Sequence, residues 1–189
     1  MRRQEPDRDK LKDPTTATAA IESGGLPLAA DACGEFPIRI ARDGVWFYRD
    51  SPIARKELAR LFSTVLRRDA EGRFWLVTPA ERGIIQVDDA PFTAVELAPE
   101  GDGKERMLRF RNNFDDWVTA GPDHPIAVTF DPDSGEPSPY IRIRDNLDAL
   151  ILRSVFYELV ELAEPVQRNG QVVLGVWSDG VFFELGEIG

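Results

Sequence analysis

An α+β fold built as two related strand-helix-hairpin halves is what this chain predicts, and three observations carry that reading. Short apolar stretches recur between turn-forming pairs such as Asp43-Gly44, Glu71-Gly72, Asn169-Gly170 and Asp179-Gly180, which is the pattern of antiparallel strands. Two other stretches place apolar residues at helical spacing. The succession of strand, helix, glycine turn, tryptophan-bearing strand and return strand occurs twice, after Arg49-Asp50 with Trp75 and after Arg144-Asp145 with Trp177. That succession is also common in unrelated folds, so duplication and coincidence both stay open at this point.

At 189 residues and 42% hydrophobic, the chain is long and apolar enough to bury a core, as one domain or two small ones. A net charge of −10 excludes a protein that coats nucleic acid through bulk charge, because phosphate neutralisation needs a basic surface; only a local basic groove remains open. Cys33 is the single cysteine, so there is no internal disulfide, and its surroundings offer nothing that would activate the thiol. No apolar run approaches the ~20 residues of a membrane span, and Met1 to Pro14 is charged without the apolar centre of a signal peptide. A soluble, cytoplasmic protein without membrane or nucleic-acid partners is expected.

In chain order, Met1 to Asp13 mixes both charges and reads as an arm; Asp13-Pro14 starts a short helix over Thr15 to Glu22, and Leu26 to Gly34 is an extended connector. Ile38 to Arg42 and Val45 to Tyr48 form a hairpin about Asp43-Gly44, a pair suited to a type I′ turn. Ser51-Pro52 is an N-cap and first-turn pair for a helix running to about Arg68, with Leu58, Leu61, Phe62 and Val65 on one face and Lys56, Arg60 and Arg67 on the other. Strands follow at Phe74 to Thr78, Ile84 to Val87, Thr93 to Leu97, Arg106 to Arg111, Trp117 to Thr119 and Ile126 to Phe130. Gly101 to Gly103 is the most linker-like break, which divides the chain into an arm (1–34), a first α+β domain (35–98) and a second (99–189).

Tyr140 to Pro165 is the stretch the rest is organised around. Ile141 and Ile143 alternate with Tyr140, Arg142 and Arg144, as in a half-buried strand. A long helix is then expected from Asp145 or Asn146 to Pro165, its broad arc of Ile151, Leu152, Val155, Phe156, Leu159, Val160 and Leu162 buried against a sheet. Val172 to Trp177 and Val181 to Leu185 close the fold as a hairpin.

No motif names a reaction: there is no glycine-rich dinucleotide loop, phosphate-binding lysine loop, HExxH or serine elbow, and no cofactor is expected. His124 is the only histidine and reads as ordering its Gly-Pro-Asp-His-Pro turn. Asp131 to Gly135 lacks the third oxygen ligand that a calcium loop has before its glycine, and Arg142 stands where the bidentate glutamate would be. Arginine placement is what remains. Arg109 and Arg111 share one face of their strand, and Arg142 and Arg144 share one face of theirs beside Tyr140. Two readings stay open. The arginines pair with surface carboxylates, or they converge on an anion, with Tyr48 and Tyr140 (or Trp46) stacking a planar ring and Asn113 adding directional hydrogen bonds.

These residues also carry a family resemblance. Cys33-Gly34, IRIARDGVWFYRDSPIARKELARLFSTVLRRDAEGRFWLVTPAERG from Ile38, VDDAPF from Val87, LRFRNN from Leu108, His124-Pro125 and YIRIRDNLDALILRSVFYELVELA from Tyr140 together resemble the bacterial domain-of-unknown-function family numbered 1285, from Cys33 to the C-terminus. At Asn112 this chain departs from the family's pattern, which has threonine before the asparagine. The resemblance implies a duplicated α+β core, a second half superficially like a pleckstrin-homology barrel, a nucleotide-type ligand between the halves and a part in bacterial signalling. It implies no catalytic residues.

Three functions follow as expectations. The first is a non-catalytic binding or sensing protein that holds a phosphorylated or nucleotide-like small molecule between its halves through Tyr48, Arg109, Arg111, Asn113, Tyr140, Arg142 and Arg144. The second is a protein-protein adaptor using the basic first helix. The third is an enzyme of unrecognised type with Glu81 and His124 as acid-base candidates.

Overall fold

The computed structural model describes residues 33–168 and 170–187. The arm and short helix expected before Cys33 lie outside them. Strands β1 (Cys33–Ile40), β2 (Trp46–Tyr48) and β3 (Ser51–Pro52) form one antiparallel meander, and after helix α1 (Lys56–Thr64) strands β4 (Leu66–Arg68), β5 (Phe74–Val77) and β6 (Arg82–Val87) form another. The two join through a parallel β1–β6 pair into a six-stranded sheet of order β3-β2-β1-β6-β5-β4.

The second half repeats this plan. Strands β7 (Phe92–Glu100), β8 (Met107–Asn112) and β9 (Trp117–Thr119) make one meander, and β10 (Ile126–Phe130), β11 (Pro137–Arg144) and β12 (Leu147–Ile151) the other. They join through a parallel β7–β12 pair, and the sheet order β9-β8-β7-β12-β11-β10 is the first sheet's order advanced by six. The fold is therefore mostly β with two helices among the described residues, in two similar halves. Helix α2 (Arg153–Glu161) and a three-stranded sheet of β13 (Glu164–Arg168), β14 (Gln171–Ser178) and β15 (Val181–Glu187) complete it. The succession noticed in sequence exists, but the repeat lies elsewhere. After α1 the return strands rejoin their own sheet, whereas after α2 they form a separate one.

Several boundaries differ from expectation, each for a local reason. Asp145 and Asn146 do not cap a helix: Asp145 adopts a φ of 45° in the β11–β12 turn, and Leu147 to Ile151 becomes a strand between β11 and β7. A central strand buried on both faces is a continuous apolar run, which a helical projection also displays as a wide arc. Helix α2 begins only after Leu152. Ser51-Pro52 likewise pairs with β2 instead of capping α1, since Arg49 turns the chain with a φ of 54°, and Leu66 to Arg68 leaves the helix to pair with β5. The hairpin at Asp43-Gly44 is present, yet only Gly44 has positive φ (83°); Gly44 N–H donates to Ala41 O at 2.9 Å, a type I turn closed by a left-handed glycine. Asp179-Gly180 (φ 50° and 70°) is the turn of I′ form. Gly101 to Gly103 lies at the tip of the β7–β8 hairpin, so the chain passes from the first sheet to the second at Asp88 to Pro91.

One continuous core serves all three sheets. Its seam between the halves is a chain of rings: Phe62 of α1 stacks on Trp46 of β2 at 6.3 Å, Trp46 meets Phe114 at 6.4 Å, and Phe114 stands edge-on to Phe92 of β7 at 6.1 Å. The third sheet is tied in by buried Ser178, whose hydroxyl accepts from Leu108 N–H at 2.9 Å and donates to Ala120 O at 2.7 Å. Among the described residues, no helix is long and apolar enough to cross a membrane.

Candidate functional site

Alternation in β8 sends Leu108, Phe110 and Asn112 into the core and leaves Arg109 and Arg111 half-buried on the other face. In β11 the buried residues are Pro139, Ile141 and Ile143, and Arg142 is on the outward side. Strands β7 and β12 separate the two stripes, which puts them three strand spacings, about 14 Å, apart. Each stripe meets carboxylates on the neighbouring strand. Arg111 binds its cross-strand partner Glu96 at 2.6 Å and Asp115 at 2.6 Å; Arg109 binds Glu100 at 2.9 Å and lies over Trp117, 5.2 Å from the ring centre. Arg142 binds its own cross-strand partner, Asp148, and donates to Asp145 O at 2.8 Å. The hydrogen bonds that Arg111 donates to Glu96 first, then to Asp115, raise its pKa further, so its charge is committed to these partners. The carboxylate-pairing reading thus describes Arg109, Arg111 and Arg142.

Tyr140 and Asn113 fasten the halves together. The Tyr140 hydroxyl donates to Asp89 Oδ1 at 2.8 Å, and Asp89 also pairs with Arg42 at 3.1 Å. Burial, then the Asp89 carboxylate, pushes the Tyr140 pKa up and keeps the phenol a donor. Asn113 accepts from Thr93 N–H at 3.2 Å and donates to Gly44 O at 3.4 Å, clamping the tip of the β1–β2 hairpin against β7. Gly44 is needed there, because a Cβ would stand 3.0 Å from Thr93 Oγ1 and 3.1 Å from Asn113 Nδ2. Tyr48 is exposed, with Arg49 over its ring at 5.4 Å.

Arg144 differs from the other three. The β-bulge at the end of β11 takes it across the seam to α1, where it donates to Ser63 O and lies 5.3 Å from the centre of the Phe92 ring. No carboxylate among the described residues lies within ion-pair distance of it. Burial lowers its pKa, and the nearby Arg67 guanidinium lowers it again, while Asp145 and Asp116 pull the other way from beyond contact. Arg67 itself donates to Thr64 O at 3.1 Å and Leu66 O at 2.7 Å, and Asn146 donates to Arg68 O at 3.1 Å. Two guanidiniums and an amide therefore gather where α1 ends, where unpaired carbonyls favour positive charge. Sequence pattern assigned Arg67 to the helix's polar face with Lys56 and Arg60; only the early end of α1 brings it to the seam.

The remaining candidates are held by local structure. Lys56 and Arg60 bind Asp115 at 2.6 Å and Asp116 at 2.7 Å, so the basic face of α1 meets the acidic β8–β9 turn. His124 Nδ1 is 3.0 Å from Arg142 O, which orders the turn before β10. Glu81 lies in the β5–β6 turn with its side chain exposed. Asp131 Oδ1 accepts from Asp133 N–H, Ser134 N–H and Ser134 Oγ at 2.7–3.0 Å, and the Ser134 backbone bond leads in lowering its pKa. Among the described residues no group of three acidic, histidine or cysteine side chains could hold a metal ion.

A protein of two repeated β-sheet halves sealed by a ring-and-arginine seam, with a third sheet appended, is the class these features define. Family models match both halves: "Domain of unknown function (DUF1285), N-terminal domain" over residues 29–90 and "Protein of unknown function (DUF1285), C-terminal domain" over residues 91–185. The chain belongs to the DUF1285 family. It is similar to the crystal structure of a DUF1285 family protein from Silicibacter pomeroyi DSS-3, with 42% identity over 94% of this chain and 97% of that one and a TM-score of 0.76. It shares the fold of a DUF1285 family protein from Shewanella baltica OS155, at 21% identity over 67% of this chain and 91% of that one, TM-score 0.53. No curated protein matches it.

Proposed function

We propose that the protein is a non-catalytic binding or sensing protein of the bacterial cytoplasm, with a part in signalling, that takes a phosphorylated, nucleotide-like small molecule at the seam between its halves. One observation carries this: Arg144 is half-buried beside Arg67, with no carboxylate within ion-pair distance among the described residues, in a chain of net charge −10. An anion between these guanidiniums would relieve their repulsion and add charge-assisted hydrogen bonds of about 1.5–3 kcal/mol each. The Asn146 amide, which donates to Arg68 O at 3.1 Å, supplies a directional donor nearby, and the buried Phe92 ring holds the Arg144 guanidinium in place from beneath. The second half is read as superficially pleckstrin-homology-like. Support for that reading is that two sheets share one core with α2 packed on β7 and β14.

The test is thermal unfolding with inorganic phosphate and with adenine and guanine nucleotides. A ligand at 100 times its dissociation constant stabilises the fold by about 2.7 kcal/mol. The shift is expected to vanish in Arg67→Ala and Arg144→Lys and to persist in Arg109→Ala. No shift with any of these compounds, or one that survives both seam substitutions, overturns the assignment.

A further inference from the structure

Helix α1 is short, and what holds it comes from outside it. At nine residues it falls below the ~12–15 that an isolated helix needs to persist in water. No side chain caps its first turn, and its last turn contains no basic residue. Lys56 and Arg60 pair with Asp115 and Asp116 of the β8–β9 turn at 2.6 and 2.7 Å, but all four side chains are about half exposed, and such pairs stabilise little. Ala59 and Ser63 are its buried residues, and Phe62 lies on the Trp46 ring at 6.3 Å. At its C-terminal end, Ser63 O accepts from Arg144 of β11 and Thr64 O accepts from Arg67 of β4. Trp46 is 2% exposed, and its indole N–H has no acceptor among the described residues. Seating α1 therefore carries an unpaired donor that water would satisfy once the helix lifts.

The last carbonyls of a helix act as about half a negative charge, so they serve the two guanidiniums as an anion would. An anion that enters between Arg67 and Arg144 meets that negative end, and the two compete for the same donors. We infer that α1 is a built-in occupant of the seam, whose C-terminal carbonyls hold Arg67 and Arg144 until a phosphate-bearing ligand displaces them and the helix lifts off Trp46. This rests on the anion reading of the seam and adds how binding there becomes a change of shape. Linkage then sets a second condition: whatever loosens α1 tightens the anion, and by the same factor.

Hydrogen exchange of the full chain, read at residues 56–64, tests this in chloride and in inorganic phosphate or adenine and guanine nucleotides at equal ionic strength. These amides are expected to exchange slowly in chloride and about tenfold faster with phosphate or a nucleotide, while residues 92–97 of β7 keep their protection. Arg144→Ala should speed exchange at 56–64 with no phosphate or nucleotide added. Lys56→Gln combined with Arg60→Gln separates release from simple charge. Loss of two positive charges by itself weakens anion binding, whereas a loosened α1 tightens it, by about two- to fivefold. Unchanged or weaker binding in that double variant overturns the proposal, as do unchanged exchange in Arg144→Ala and α1 amides that are unprotected in chloride. A thermal shift without faster exchange at 56–64 overturns it and leaves the anion reading of the seam standing. No thermal shift with any of these compounds overturns both.

Discussion

Asp69 shows how one side chain can hold a turn. Its carboxylate accepts from the Trp75 indole N–H at 2.8 Å, the Arg73 backbone N–H at 2.8 Å and Arg73 Nε at 2.7 Å. Burial alone would raise its pKa; the bond from Trp75 and those from Arg73 outweigh it and lower the value from 3.8 to about 2. A carboxyl group whose pKa is depressed on folding stabilises the native state above its unfolded pKa, and that contribution is lost as pH falls through the folded value. Asp69→Asn keeps the shape and removes the titration. Urea midpoints of the two proteins should therefore differ by a constant amount above pH 3.8 and converge as pH approaches about 2, with Trp75 emission changing over the same window. A difference independent of pH would place the acid limb on another carboxylate.

At the scale of elements, strands bounded by glycine turns were legible in sequence, because period-two alternation and turn chemistry are both local. The β12–α2 segment was not, since a strand buried on both faces has no alternation to display. What fixes it as a strand is β7, more than fifty residues earlier, which pairs with it in parallel. Strand β14 has a non-local demand of its own. A Cβ on Gly175 would collide with the Phe182 ring and with the Phe183 carbonyl oxygen, at the register shift between β14 and β15. A side-chain tip can move aside, but a paired backbone carbonyl cannot. Gly175→Ala is accordingly expected to cost about 1–3 kcal/mol, the usual penalty of overpacking, read as a lower urea midpoint with unchanged slope. A neutral substitution would mean that the β14–β15 bulge relaxes freely.

For the whole molecule, the candidate site was only partly readable. Alternation placed Arg109, Arg111 and Arg142 on outward faces correctly, but their partners Glu96, Glu100 and Asp148 come from sheet register, which sequence does not display. Arg144 reached the seam because a bulge and an early helix end redirected it. The same seam decides how the protein unfolds. Phe114, 3% exposed, stands between Trp46 of the first half and Phe92 of the second, so removing it opens a cavity where the two halves meet. Phe114→Ala should cost about 3–5 kcal/mol. In a chain of this length that lowers the midpoint by on the order of 10 °C. Because the core is continuous across all three sheets, the unaltered protein should unfold in one calorimetric transition, with calorimetric and van't Hoff enthalpies equal. In the Phe114 variant the halves lose their shared ring and the transition should broaden or divide. Two transitions already present in the unaltered protein would instead mean that each sheet carries a core of its own, with the ring chain as mere contact between finished domains.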